Sequence, residues 1–421
     1  MTPSMTNPRT RPRPRIRRKT VAATALLISV TAGCAGAQPS GAPAAARHDK
    51  TAAHEKTAAP VPSSAGGAAA HSERRGFTLV ASGDVLPHAS IIRQSQVDAN
   101  TTGKGGGYDF GPMLAGAKPV VSAADLAICH METVYGPDGG PYTGYPSFKS
   151  PPQIAGALRE TGYDSCSTAS NHTLDDGMDG LRRTLDALDK AGVKHAGSAR
   201  TAEEAARPTL LKAGGATVAH LAYTYGTNAD PLPSGQSWAV NLIDEEKIVT
   251  DARAAREAGA DVVVVSMHWG TEWQTELDQQ QLDLARSMTA SARDGRPDID
   301  LVIGTHVHAP QAYEKVNGTW VVYGMGDQIA GDMINNKGVF DPRGNQGTIG
   351  RFTFVPPAKP GGRWEVEKAE YLPHWFNTAT GRVVNVNAAI ERGENLTAVR
   401  DEIRQAVLGR GADKDGLVMG K

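Results

Sequence analysis

The chain is poor in cysteine and in aromatic residues, with three Cys in 421 positions and 5% Phe, Trp and Tyr. So few thiols exclude a small fold stapled by disulfides, because such scaffolds concentrate cysteine in short chains. Cys34 falls near the N-terminus, and Cys129 and Cys166 each sit in an apolar run. They read as two buried thiols on neighbouring strands, with a bridge as the alternative in an oxidising compartment. A large net charge is lacking too: 44 Lys and Arg nearly balance 45 Asp and Glu for a formal net charge of −1, and removing the seven cations between Arg9 and Lys19 leaves −8. A chain so acidic lacks the basic footprint that a phosphate backbone requires, which argues against a nucleic-acid partner. No Gly-rich loop ending in Lys-Ser or Lys-Thr occurs, so the chain is not an ATP-driven ligase built on such a loop.

What is present begins with a leader. Arg9 to Lys19 is basic without an acid, and Thr20 to Gly33 is uncharged but too short to span a bilayer; together they form the n-region and h-region of an export signal. Thr31-Ala32-Gly33-Cys34 reads as a lipobox that would lipidate Cys34, although Thr31 stands where Leu or Val is usual. Ala35-Gly36-Ala37 offers an ordinary cleavage site instead. Residues 38–75 are mostly Ala, Pro, Gly and Ser with no aromatic, and cannot bury enough apolar surface to offset the entropy of ordering. A long tether directly after Cys34 suits a membrane-held domain and favours lipidation. Arg17-Arg18 reads as chance in so basic a leader rather than as a twin-arginine signal. The expected organisation is a signal over 1–37, a linker over 38–75, one folded domain over 76–375 and a peripheral tail over 376–421. The expected location is extracytoplasmic, anchored by lipid or else secreted.

In the folded part, short apolar runs alternate with helical periodicity. Phe77 to Ser82 is a strand ending at Gly83-Asp84, and Asp125 to Met131 is a second, followed by a Gly-, Pro- and Tyr-rich loop over 135–145 that is a candidate substrate rim. Pro151-Pro152 opens a helix that Gly162 closes, and residues 163–169 form a strand leading to Asn171-His172. Leu181, Leu185 and Leu188 mark a helix over 180–191. Helices are expected over 245–258 and 279–292, strands over 261–267 and 300–304, and a hairpin at Asn317-Gly318. Strand–helix alternation followed by antiparallel strands points to a layered α/β fold.

The chemistry gathers at strand ends, where open α/β sheets collect ligands. Each residue alone has a dull reading: Gly-Asp as a turn, Asn-His as a helix cap, His268 beside Trp269 as a packed ring. Their order and placement argue instead for a metal site. Carboxylate and amide oxygens and neutral imidazoles suit divalent ions such as Mn, Zn, Fe or Mg, and two ions about 3.5–4 Å apart can clamp and hydrolyse a phosphoester. Asp84, Glu132, Asn171, His268, His306 and His308 are the candidate ligands. Glu132 suits a bridging role between two cations. His306-Val307-His308 can reach different ions only if the backbone turns, which Gly304 allows. His172 neighbours Asn171 but faces elsewhere, as befits a catalytic imidazole that stabilises phosphoryl charge or protonates a leaving group.

Gly83-Asp84, Asp125 to Glu132, Phe148 to Pro152, Ser170 to Asp175, His268-Trp269-Gly270, Gly304 to His308 and Tyr323 to Asp327 together resemble the CapA family, which is linked to poly-γ-glutamate capsule synthesis. The resemblance spans about residues 77–330. It implies a four-layer α-β-β-α sandwich of the calcineurin-like metallophosphoesterase type, with the six residues above as metal ligands and His172 as the catalytic imidazole. Three departures stand out. Leu86 replaces the usual His two residues after Asp84, with His88 four residues on as a possible substitute. His130-Met131 precedes Glu132 where Asn-Leu is common, and Asp327 stands where Asn is usual. They leave one ion, two ions or a binding site open. Three functions compete: an exported protein that takes part in the synthesis, export or processing of an anionic surface polymer such as poly-γ-glutamate, with a membrane polymer-synthesis complex as partner; an extracytoplasmic phosphoesterase on nucleotides or phosphate polymers; and a non-enzymatic export or assembly scaffold.

Overall fold

The computed structural model describes residues 75–103, 107–228, 232–359 and 361–421. The export signal, lipobox and linker lie outside the described residues. Strand β1 (Phe77–Leu86) divides its side chains between two cores: Phe77, Leu79 and Ala81 face one, Val80 and Val85 the other. The same alternation runs through β2 (Leu126–Met131), with Leu126 and Ile128 on the first face and Ala127, Cys129 and Met131 on the second. Helices Gln153–Thr161 and Gly177–Ala191 end at Gly162 and Gly192, as their sequence implies, and lead into β3 (Ser165–Ser167) and β4 (Lys194–Ala196). The strand expected over 163–169 is confined to three residues, so Asn171 and His172 follow it in a loop.

The chain then builds a second sheet. β5 (Thr209–Ala213) pairs antiparallel with β6 (Ala216–Thr224), and β7 (Val262–His268) lies parallel to β6. After a small hairpin of β8 (Ala292–Arg293) and β9 (Arg296–Pro297), β10 (Leu301–Thr305) runs parallel to β7. β11 (Tyr313–Val316) and β12 (Thr319–Val322) form the hairpin that Asn317-Gly318 announces; both turn residues are left-handed, at φ 50° and 79°. The chain returns to the first sheet as β13 (Asp327–Ala330), β14 (Gln346–Val355), β15 (Glu365–Asn377), β16 (Arg382–Asn385) and β17 (Leu417–Met419). The first sheet has the order β16-β15-β14-β1-β2-β3-β4, with β13 on β1 and β17 on β15; the second has the order β11-β12-β10-β7-β6-β5.

One core fills the space between the sheets, where Leu79 and Ile128 meet Val218, Val264 and Ile303. A second buries the outer face of the first sheet under helices that contribute Ile91, Ile154, Leu158 and Leu188. A third does the same for the second sheet with Ile248, Ala252, Ala285 and Met288. The result is the expected four-layer α-β-β-α sandwich.

Two expectations are corrected. Cys129 and Cys166 are joined in a disulfide rather than standing as thiols, because parallel register sets them directly opposite on β2 and β3 with Cα atoms 4.4 Å apart. The segment after 375 is not peripheral: Ile403, Val407, Ala412 and Leu417 are buried in the inter-sheet core, and β17 pairs with β15. Apolar residues spaced along a short, charged stretch signal one helix face, but its docking partner lies far away in sequence.

Candidate metal centre

Asp84 reaches the inter-sheet space through an irregularity. Strict alternation from Ala81 would turn it away, but the register of β1 shifts against β2 between Ala81 and Asp84 and against β13 just after Asp84. Gly83 permits this close approach, since a Cβ there would stand 1.7 Å from the carbonyl oxygen of Gly326. Glu132 and His130 continue the inward phase of Ile128 on β2. Asn171 is presented by the loop after β3, where the Ser170 hydroxyl donates to the Glu132 carbonyl and ties the two segments together.

From the second sheet come His268, the last residue of β7, and His306 and His308, just past β10. A side chain at Gly304 would collide with the Tyr323 carbonyl at 2.0 Å. The turn anticipated after it lies at the histidines themselves, which hold left-handed backbone at φ 94° and 55°. Such conformations cost of order 1–3 kcal/mol each and persist where the surroundings enforce them. Here the His306 N–H donates to Asp84 Oδ2 at 3.1 Å, fastening one sheet to the other.

All six predicted ligand residues meet in this buried space. Glu132 Oε1 lies 3.8 Å from His268 Nε2 and 3.9 Å from His308 Nε2, and Asp84 Oδ1 lies 3.9 Å from His268 Nδ1. Asn171 Oδ1 is 2.9 Å from His268 Nε2, and the His306 ring lies 4.7 Å from that of His268. His172 stands beside them, its Nδ1 2.7 Å from Asp175 Oδ2 and its ring edge-on to Phe148 at 4.7 Å. His88, the substitute considered for the histidine missing at Leu86, receives the Gly331 N–H at Nδ1 and packs against Phe148, and among the described residues it falls in none of the groups within ligand range of one ion.

Three residues join that the sequence reading did not assign as ligands. Asp327 accepts from His308 Nδ1 at 2.9 Å, leaving Nε2 directed at Glu132, the carboxylate–histidine arrangement that orients a metal-binding imidazole. Glu272 groups with His306 and His308 within ligand range of one ion. His130 groups with Asp84 and His268 in the same way. Its signal was available, since i and i+2 on a strand share a face and Glu132 was already a candidate. Glu272, in an irregular segment, carried no such pattern.

The electrostatics are those of a site built around cations. Burial, then the neighbouring Asp327, pushes the Asp84 carboxyl well above its ordinary range, and burial followed by Asp84 does the same to Glu132. Burial depresses His268 and His306 strongly and takes His130 down to about 3, so these rings are neutral donors. Burial also opposes charge on His308, yet Asp327, Glu132 and Asp84 together hold its pKa well above normal. Asp84 Oδ1, both Glu132 oxygens, His130 Nε2, His306 Nδ1 and Asp327 Oδ2 are buried without a hydrogen-bond partner. Orphaned donors in such number, all facing one space, fit divalent ions.

Fold and site define a four-layer α/β protein with a buried carboxylate–imidazole centre at the strand ends. Residues 78–332 match the family described as "Bacterial capsule synthesis protein PGA_cap", and the chain belongs to that family. It is 27% identical over 173 residues to the PGA biosynthesis protein CapA of Bacillus subtilis, covering 41% of this chain and 44% of that protein. It is 28% identical over 224 residues to a probable polyglutamine synthesis accessory protein of Mycobacterium tuberculosis, covering 49% and 56% respectively. The chain thus spans about half the length of these curated relatives. Among solved structures it is similar to a phosphatase of Mycoplasma pneumoniae (TM-score 0.41, 14% identity, 71% of this chain and 94% of that one). It is also similar to the calcineurin-like phosphoesterase YfkN of Bacillus subtilis (TM-score 0.39, 13% identity, 78% and 99%). Neither structural likeness carries functional weight.

Proposed function

We propose that the chain is a metal-dependent hydrolase of phosphoesterase type that serves the synthesis, export or processing of an anionic cell-surface polymer, poly-γ-glutamate being the polymer that the resemblance to the CapA family implies. The observation that carries the reading is the convergence of orphaned carboxylate oxygens and imidazole nitrogens from both sheets on one buried space. Asp84, Glu132, Asn171, His268, His306 and His308 would hold the metal, and the three imidazoles suit Zn or Fe better than Mg or Ca. When bound, divalent ions supply Lewis acidity and a strongly acidified water.

The chain's own groups do the rest. The carboxylates of Asp84, Glu132 and Asp327, ionised as metal ligands, would repel an anionic substrate, and the cations they hold would offset that charge. Asp175 fixes the His172 ring through Nδ1, which leaves Nε2 to carry the proton that a leaving oxygen needs. Tyr225, 46% exposed and with its ring 4.5 Å from that of His306, forms part of the rim. The test is turnover of a chromogenic phosphodiester by the metal-loaded full chain. His172→Ala is expected to lose about 10²–10⁴-fold in kcat while keeping its metal. Absence of turnover in a folded, metal-loaded wild type would remove the hydrolytic reading.

An extracytoplasmic place, lipid-anchored at Cys34, belongs to the same proposal, and the Cys129–Cys166 bridge supports it as the chemistry of an oxidising compartment. Mass spectrometry of the mature protein checks it: a diacylated Cys34 is expected, and an unmodified chain starting at Gln38 would replace anchoring by release.

A further inference from the structure

His130 is 2% exposed, and its Nε2 faces Asp84 Oδ1 across 3.4 Å. Neither atom has a hydrogen-bond partner. The gap is too long for a charge-assisted hydrogen bond, which closes to about 2.7–2.9 Å. It fits two ligands of one ion, since donors bound at about 2.0–2.2 Å in tetrahedral geometry stand roughly 3.4 Å apart. On the far side of the ring, His130 Nδ1 lies 2.5 Å from Ser167 Oγ. With Nδ1–H donating to that hydroxyl, the lone pair of Nε2 points at a carboxylate oxygen, and a cation between the two atoms would satisfy both. His268 closes the group. Its Nδ1 is 3.9 Å from the same Asp84 oxygen, and its ring stacks on His130 with centroids 4.7 Å apart.

We propose that His130 is a metal ligand, forming one ion position with Asp84 and His268 and oriented by Ser167. This rests on the metal-dependent reading above and names a ligand that reading does not include. It also explains how the site can dispense with an imidazole at Leu86: the neighbouring strand provides one.

The test uses the full chain, stripped with chelator and reloaded with Co²⁺ or Zn²⁺, with metal stoichiometry and the visible Co²⁺ spectrum as readouts. His130→Leu is expected to lose one equivalent, or to bind it at least about 10-fold more weakly, with an altered Co²⁺ band. Ser167→Ala, which keeps the ligand but not its orientation, is expected to weaken that equivalent by about 10–100-fold. Wild-type stoichiometry, affinity and spectrum in His130→Leu would overturn the assignment and leave the metal reading standing, whereas a folded wild type that binds no metal would overturn both. If His130→Leu does not fold, Ser167→Ala decides: unchanged affinity overturns the assignment, and a loss of 10-fold or more supports it.

Discussion

Glu132 concentrates the tension in this site. Both its oxygens are buried without partners, and burial together with Asp84 favours its neutral form. Without metal its charge therefore opposes folding, and with metal the same charge becomes a ligand. Glu132→Gln mimics the neutral form. In chelator it should unfold at the same temperature as wild type or be more stable by about 1 kcal/mol, while saturating Mn²⁺ or Zn²⁺ raises the melting temperature of wild type more than that of the variant. Thermal unfolding of both proteins in both conditions checks this, and a variant markedly less stable than wild type in chelator would show that Glu132 makes stabilising contacts of its own. The residues legible in sequence were those with a marker beside them: Gly83 before Asp84, Gly304 before His306 and His308, a run of four valines before His268. His130 has no such marker and stands where the CapA family commonly has Asn, although its spacing from Glu132 puts both on one face of the strand.

Among the elements, the parallel strands and their helices could be read from apolar runs closed by glycine. The helices at Gln153–Thr161 and Gly177–Ala191 and the Asn317-Gly318 hairpin lie within a few residues of where the sequence puts them. What could not be read was register. The shift in β1 that turns Asp84 inward depends on Gly326, more than two hundred residues away, and no local pattern encodes it. The Cys129–Cys166 bridge is the same kind of fact, since the sequence suggests neighbouring strands but only the alignment of β2 with β3 sets the two thiols opposite each other. Leu417 to Met419 illustrates the remaining limit: three residues are too few to announce a strand, and it forms by adding to the edge that β15 already offers.

At the scale of the whole molecule, the two sheets do more than share a core. One contributes Asp84, His130, Glu132 and, through its loop, Asn171; the other contributes His268, His306 and His308. The His306 N–H bond to Asp84 and the contact of His268 with Asn171 cross between them. Layered architecture was legible because strand–helix alternation followed by antiparallel strands has few solutions. The participation of the last 46 residues in the inter-sheet core was not, because their apolar positions are few and their partners distant. The account stands on the claim that both sheets present ligands to bound metal. The most direct measurement is elemental analysis of the purified full chain beside His268→Ala and His306→Ala. The account predicts stoichiometric transition metal in the wild type and its loss in both variants. A folded wild type without metal, or metal content unchanged by both substitutions, would contradict it.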